Sequence, residues 1–188
     1  MRGFVIAVLA LVLAACATPA LRVPATPIPA DTLSAPWSLQ GRIALKAGKN
    51  SLSGQLQWLH RDNREELLLS TPLGQGVARI VSDAEGVLLE VPKQAPKRAA
   101  DAESLTREAL GVALPLSGLS HWIPVRPDPA RPSEQTPDAA GRIAQIRQDG
   151  WVIDYLEYMT EPVYRPRKLN IARDGLEIRL VVDTWETQ

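Results

Sequence analysis

On either side of its middle, the chain between Trp37 and Trp185 repeats one pattern, an apolar residue followed by a polar one. Trp37, Leu39, Gly41, Ile43 and Leu45 alternate with Ser38, Gln40, Arg42 and Lys46. At two residues per repeat, that places the apolar set on one face of a strand. After the turn-like Ala47-Gly48-Lys49-Asn50 the alternation restarts, with Leu52, Gly54, Leu56 and Trp58 against Ser51, Ser53, Gln55 and Gln57. So short a connection predicts an antiparallel hairpin. Further strands are expected at 66–71, 76–82, 87–91, 142–148, 151–158, 168–172 and 176–185. Asp149-Gly150 and Asp174-Gly175 join the last four in pairs, each a two-residue hairpin signal. In the final strand Leu176, Ile178, Leu180 and Val182 oppose Glu177, Arg179 and Asp183.

The middle of the chain changes period. Asp101 caps a helix running through Leu110, with Leu105 and Ala109 on one face and Gly111 as its stop. Pro115 suits the first position of a second helix over 116–123, where Leu116, Leu119 and Ile123 share a face and Trp122 lies beside it. Five prolines between Pro124 and Pro137 read as a long surface loop. The sum is about nine to eleven antiparallel strands interrupted once by two short helices. A one-faced sheet needs its apolar side covered or filled, and two short helices cannot cover it fully. The expected fold is therefore mainly β with short helices: an incomplete antiparallel β-barrel with a helical lid over a hydrophobic cavity.

Ahead of the sheet the composition is different. Arg2 precedes the apolar run from Phe4 to Ala15, which ends in Leu13-Ala14-Ala15-Cys16. A positive charge, about a dozen apolar residues and small residues at the end outline a secretory signal peptide. Spanning a bilayer takes roughly 20 apolar residues. The run resembles a bacterial lipoprotein signal, in which lipid is attached to the Cys and cleavage makes it the first residue. That resemblance implies a signal peptide at 1–15, an acylated Cys16 and a lipid anchor. The other reading is a buried thiol that merely follows an apolar stretch. Residues 17–36 contain Pro19, Pro24, Pro27, Pro29 and Pro36 and read as an extended tether. The folded domain is then expected at 37–188. Ala17 stands where an Asp, in lipoproteins of this type, signals inner-membrane retention, so the resemblance implies an outer-membrane anchor facing the periplasm.

Charge and side-chain chemistry narrow the function. Lys plus Arg and Asp plus Glu number 21 each, so no basic footprint for nucleic acid is present. Cys16 is the single cysteine and Phe4 the single phenylalanine. An acylated Cys16 leaves no thiol for a disulfide, metal or nucleophile, and the interior must be built from Leu, Val, Ile, Ala, Trp and Tyr. His60 and His121 are the two histidines, in no metal-binding spacing, and no nucleophile elbow or phosphate loop occurs. Asp149 belongs to a turn and Asp154 to the polar side of a strand, so they make a poor acid/base pair. Catalysis, a metal site and a cofactor are not expected, and the domain reads as a monomer.

Two features remain for binding. Trp37, Trp58, Trp122, Trp151 and Trp185 read mostly as core, with Trp58 and Trp122 as candidates for lining a cavity. In Leu67-Leu68-Leu69-Ser70-Thr71-Pro72-Leu73-Gly74, Pro72 and Gly74 break the strand and leave Leu73 in a turn. Such a Leu either folds back onto the core or presents an apolar contact to a membrane or partner.

Several segments together resemble one family, the outer-membrane lipoprotein receptor LolB. They are Trp37-Ser-Leu-Gln-Gly-Arg-Ile-Ala, Gly54-Gln-Leu-Gln-Trp58, Leu69-Ser-Thr-Pro-Leu-Gly74, Leu114-Pro-Leu, Leu119-Ser-His-Trp122, Gln148-Asp-Gly-Trp-Val-Ile-Asp-Tyr155 and Leu176 to Trp185. Each is short, and their order carries the likeness. The resemblance implies a half-barrel that accepts triacylated lipoproteins from the periplasmic carrier LolA and inserts them into the outer membrane. In that family the Leu of an Asn-Pro-Leu-Gly loop protrudes and serves insertion. Here Thr71 replaces the Asn while Pro72, Leu73 and Gly74 match. The Pro124–Pro137 segment departs from the family pattern. Acyl chains are expected on Leu39, Ile43, Leu52, Leu56 and Trp58 from the sheet and on Leu119 and Trp122 from the lid. Leu73 would enter the inner leaflet of the outer membrane, where the Cys16 lipid holds the protein. The competing readings are a structural envelope lipoprotein that docks through its sheet without a lipid cavity, and a hydrolase using His60 or His121.

Overall fold

The computed structural model describes residues 36–159 and 165–187. Its strands are β1 (Trp37–Ala47), β2 (Asn50–Arg61), β3 (Arg64–Ser70), β4 (Gly76–Asp83), β5 (Gly86–Glu90), β6 (Lys97–Ala99), β7 (Ser133–Pro137), β8 (Ile143–Gln148), β9 (Trp151–Tyr158), β10 (Pro166–Arg173) and β11 (Leu176–Thr187). Helices α1 (Ala102–Leu110) and α2 (Leu116–Trp122) lie between β6 and β7. The strands form one sheet in the order β6-β5-β4-β3-β2-β1-β11-β10-β9-β8-β7, antiparallel throughout. Two meanders are thus fused where the first strand pairs with the last. The sheet does not close, because β6 and β7 are separate edges.

Alternation sets the register. Along β1, Trp37, Leu39, Gly41, Ile43 and Leu45 are buried while Gln40, Arg42, Ala44 and Lys46 are exposed. Leu39 stands opposite Trp58 of β2 and Trp185 of β11, and Ile43 opposite Gly54 and Leu180. Asp149-Gly150 and Asp174-Gly175 both have positive φ at both positions, the geometry that two-residue hairpins require. Gly41 and Gly54 are demanded by close approach. A β-carbon on Gly41 would run into the carbonyl oxygen of Val181, and one on Gly54 into that of Ser70.

Two strands were not expected from the sequence, and both are edges. β6 has three residues, too few for a visible alternation. β7 corrects the reading of 124–137 as a loop: its last five residues pair with β8 from Ser133↔Gln148 to Pro137↔Ile143. An edge strand tolerates a proline because one side of its backbone has no ladder to serve, and the register shifts where Pro137 enters.

The first helix begins and ends where the sequence places it, while the second stops at Trp122, one residue short of the expected 116–123, with Pro115 just outside its start. The Asp101 side chain accepts from Ser104 N at 2.8 Å, and Gly111, at φ 73°, ends α1 by donating to the Arg107 carbonyl. Thr106, fully buried, donates to the Ala102 carbonyl and accepts from Leu114 N at 2.9 Å, tying α1 to the approach to α2. Because β6 and β7 are opposite edges, this helical segment must cross the sheet's face from one side to the other. α1 lies against β5 and β6, whereas α2 bonds to β8 and β9. Helices only about 14 and 10 Å long reach both flanks of an eleven-stranded sheet only if that sheet is curled. Leu105, Leu116, Leu119, Trp122 and Ile123 then join Leu39, Leu56, Ile80, Ile153 and Leu180 in a single buried cluster.

Candidate functional site

The 71–75 turn follows directly from its sequence. Gly74 N donates to the Thr71 carbonyl at 2.8 Å, with Pro72 and Leu73 as the central residues and Gly74 at φ 83°. Proline second and glycine fourth is the pattern such a turn favours. Thr71 N donates to the Gln75 carbonyl at 2.8 Å, Gln75 N to Thr71 Oγ1 at 3.2 Å, and Gln55 Nε2 to the Pro72 carbonyl at 3.2 Å. The two flanks are therefore tied to each other, and Pro72 is tied to β2. Leu73 is 90% exposed at the tip, while Pro72 and Gly74 beside it are also exposed. A Leu so held cannot fold back onto the core.

The seven inner-face candidates come together. Leu39 and Ile43 of β1, Leu56 and Trp58 of β2, and Leu119 and Trp122 of α2 are all buried in one cluster, with Leu52 packed against it. They are closed as well as adjacent. Leu39, Leu56 and Trp58 are each 1% exposed and Leu119 and Trp122 each 2%, which leaves no water-sized void against them. The expected cavity is thus not an open space in this conformation: the candidate side chains occupy it. Val112, Leu114, Ile123 and Val125, on the segments around α2, complete the cover that two helices alone could not give.

Polar residues at inward positions fix the helices and one end of the sheet; sequence reasoning weighed His60 only as a catalytic group and passed over the others. Gln148, buried on β8, accepts from Trp122 Nε1 at 2.9 Å and from Asp128 N at 2.8 Å, and donates to the carbonyls of Asp128 and Arg131. Tyr155 of β9 donates to the Trp122 carbonyl at 2.5 Å, and burial holds its pKa well above the usual tyrosine value. Glu65 of β3 accepts from Trp58 Nε1 at 2.6 Å and pairs with His60 Nδ1 at 2.7 Å. Their common signal is a polar residue in the apolar phase of a strand: Gln148 with Ile146, Glu65 with Leu67 and Leu69, His60 with Trp58.

His60 stacks on Trp37 with ring centres 5.1 Å apart, and Trp37 also meets Trp58 at 5.7 Å and Trp185 at 5.4 Å. His121 of α2 lies near this end, and its pKa is lowered by desolvation, with Arg126 and His60 adding to the fall and Asp128 and Glu65 opposing it. Among the described residues no group of His, Cys, Asp and Glu is placed to hold a metal ion, and no helix is long and apolar enough to cross a membrane. Cys16 lies outside the described residues.

The arrangement is an apolar interior under a helical cover and one rigidly displayed Leu. The sequence profile described as "Outer membrane lipoprotein LolB" matches residues 35–185. Outer-membrane lipoprotein LolB of Thiobacillus denitrificans is 51% identical over 183 residues, 97% of this chain and 96% of that protein. The proteins of the same name from Pseudomonas fluorescens and Pseudomonas syringae pv. syringae are 38% and 36% identical over 151 residues, 80% of this chain and 74% of each relative. The chain belongs to the LolB family, and it is an outer-membrane lipoprotein of lipoprotein localisation.

Proposed function

We propose that this protein takes triacylated lipoproteins from the periplasmic carrier LolA, holds their acyl chains against the inner face of its sheet, and passes them into the outer membrane. Cys16, acylated after removal of residues 1–15, anchors it there, and residues 16–36 tether the domain. The observation that carries this reading is Leu73, fully displayed on a turn whose backbone is hydrogen-bonded on both flanks. Exposing a Leu side chain gains nothing in water. Burying it in lipid is worth about 1.5–3 kcal/mol, enough to bias a domain toward the bilayer at the moment of release.

An acyl chain loses roughly 0.8 kcal/mol for every CH₂ group exposed to water, so cargo needs an apolar host until it reaches the bilayer. Leu39, Ile43, Leu52, Leu56, Trp58, Leu119 and Trp122 supply that host. Because they are packed on one another, an entering chain must displace the helices from the sheet, and the apolar contacts it makes replace those it breaks. Transfer then needs no nucleotide and runs toward the stronger binder.

The test is to incubate the domain lacking residues 1–16 with a cargo-loaded LolA and follow the cargo. Movement onto the domain supports the proposal, and cargo that stays on the carrier refutes it. The closed interior is the observation favouring a docking module without a lipid site. A photo-crosslinking acyl chain that never labels Trp58 or Trp122 decides for that module.

A further inference from the structure

The turns at the two ends of the first meander carry opposite charge. Because β1 to β6 run up and down in order, the connections 48–49, 71–75 and 91–96 lie at the end that displays Leu73, and 62–63 and 84–85 lie at the other. The charged residues of the first three are Lys49 and Lys93, and those of the other two are Asp62 and Glu85. All four are exposed. Nearby cations have acidic neighbours: Lys97 pairs with Glu108 at 2.6 Å, Arg79 with Glu66 and Glu90, and Lys46 stands opposite Glu177 in the ladder. Among the described residues no ion pair engages Lys49 or Lys93. In the second meander the turns at the same end carry Asp149 and Asp174, so the basic patch stops at the first.

Sheet order sets Leu73 between the two lysines. β3 and β4 lie between β1–β2 and β5–β6, so Lys49 is on one side of the Leu73 turn and Lys93 on the other, each about two strand spacings or 10 Å away. The ladder offsets step in one direction, since Ser70 stands opposite Gln55 rather than Asn50, and Glu90 opposite Arg79 rather than Gly76. Tilted strands of a curled sheet end in such a staircase when their turns share one rim. The 91–94 turn also repeats the 71–74 turn. Gln94 N donates to the Val91 carbonyl at 3.1 Å, Pro92 is second, and Lys93 takes the third place, where Leu73 stands in its own turn. Lys93 has φ 64°, so the fold keeps a lysine where the backbone favours glycine, and such outliers concentrate at binding sites. Pro72, Pro92, Ala95 and Pro96 around them are exposed and uncharged.

One exposed Leu flanked by two unpaired lysines, with no carboxylate in the three turns, complements an apolar layer beneath an anionic surface. An acidic protein would need a pocket placed to receive Leu73, whereas a bilayer offers apolar depth at every point. Resting on the function proposed above, we infer that Lys49 and Lys93 bind the phosphates of anionic phospholipids on either side of the inserted Leu73. Leu73 then supplies depth and the lysines supply lipid preference. A lysine near an anionic membrane surface strengthens binding about fivefold, and the attraction fades beyond about 10 Å at 0.1 M salt.

The experiment uses the full chain, acylated at Cys16, in vesicles of phosphatidylethanolamine with or without about one quarter phosphatidylglycerol. A polarity-sensitive dye on Gln75→Cys, then the chain's one free thiol, reports contact of the Leu73 turn with lipid. Phosphatidylglycerol should raise the ratio of touching to free turns about tenfold or more. The double variant Lys49→Gln, Lys93→Gln should cut that gain to about twofold or less, and so should about 0.5 M salt. Contact that ignores phosphatidylglycerol, or a gain that survives in the double variant, overturns this inference and leaves delivery through Leu73 standing. Contact that depends on phosphatidylglycerol while no cargo passes from LolA to the vesicles supports the lipid site and overturns the proposed function instead. Unchanged vesicle contact in the double variant, with slower acceptance of cargo from LolA, overturns the inference in favour of an acidic protein surface. A lower melting temperature for the double variant, with contact weakened equally on both vesicles, makes the lysines structural and overturns it too.

Discussion

Leu39 and Trp185 face each other on the inner side of the β1–β11 seam because Asp183 is squeezed out of the ladder. Gly41 pairs with Val182 and Gln40 with Thr184, so one residue of β11 has no partner. Strict alternation from Val182 would send Trp185 outward, and the bulge restores it to the inner face. Asp183, left on the outside, bonds instead to Arg42 at 3.0 Å.

Neighbouring substitutions should therefore differ sharply. Asp183→Ala removes one exposed ion pair and should cost under about 1 kcal/mol. Trp185→Ala removes the packing on Trp37 and Arg165 and should cost about 2–4 kcal/mol. Deleting Asp183 should keep Trp185 inward, since the shortened strand then runs in step with β1. Urea unfolding followed by tryptophan emission measures all three, and a red-shifted native spectrum in the deletion would contradict the bulge argument.

Leu73→Glu should abolish delivery to membranes while leaving acceptance of cargo intact. The side chain touches nothing that stabilises the fold, so stability should change by less than about 0.5 kcal/mol. Liposome insertion of a fluorescent lipoprotein, measured beside thermal unfolding, separates the two. Normal delivery by this variant would remove Leu73 from the mechanism.

The α2 anchors should set how easily the helical cover opens. Tyr155→Phe removes the donor to the Trp122 carbonyl, which still accepts from Val125 N, so it should cost only about 1 kcal/mol. Gln148→Leu leaves Trp122 Nε1 and Asp128 N without their acceptor and should cost about 2–4 kcal/mol. Both should speed amide exchange in α2 more than in β1, and acyl uptake should quicken in the same order. Uniform loosening of the whole domain would argue against a separately opening cover.

Acid should weaken the hold of α2 through His121. Burial lowers its folded pKa, so the folded state binds fewer protons than the unfolded chain. The sign is then fixed: this contribution is full above the unfolded value of about 6.5 and is lost as pH falls through the depressed folded value. His121→Gln should flatten stability over that window. Asp101, held low first by the Ser104 hydroxyl and then by its backbone N–H, titrates at more acid pH and does not confuse the reading. Unfolding midpoints at pH 5, 6 and 7 test this, and an unchanged slope in the variant would refute it.

Tether length should matter because Trp37, where residues 16–36 join the domain, and Leu73 lie at opposite ends of it. Trp37 pairs with His60, which pairs with Glu65 at the start of β3, whereas Leu73 follows the far end of that strand. About 25 Å separates them, at about 3.3 Å per residue. Residues 16–36 would span roughly 70 Å if extended, enough to turn Leu73 toward the bilayer in which we propose Cys16 is anchored. Deleting residues 20–34 should block delivery and spare acceptance, while removal of five residues should be tolerated. Delivery assays on the anchored protein across such a deletion series measure this, and delivery indifferent to length would sink it.

Local pattern alone made much of this molecule readable. The phase of Trp37, Leu39, Ile43, Leu56 and Trp58 specified a one-faced sheet. The Asp-Gly pairs specified two hairpins, Asp101 and Gly111 the limits of α1, and Thr71-Pro72-Leu73-Gly74 a turn. These features depend on a few adjacent residues, whose sterics and hydrogen bonds act over one or two turns of chain. Tertiary structure decided what lies far apart in sequence: that β1 pairs with β11, that β6 and β7 are edges, and that Gln148 and Tyr155 hold α2. It also decided that the apolar face is packed shut, and that a bulge at Asp183 returns Trp185 to the inside beside Arg165. Burial and satisfaction of a polar group depend on what the rest of the chain brings to it, and no local pattern carries that information.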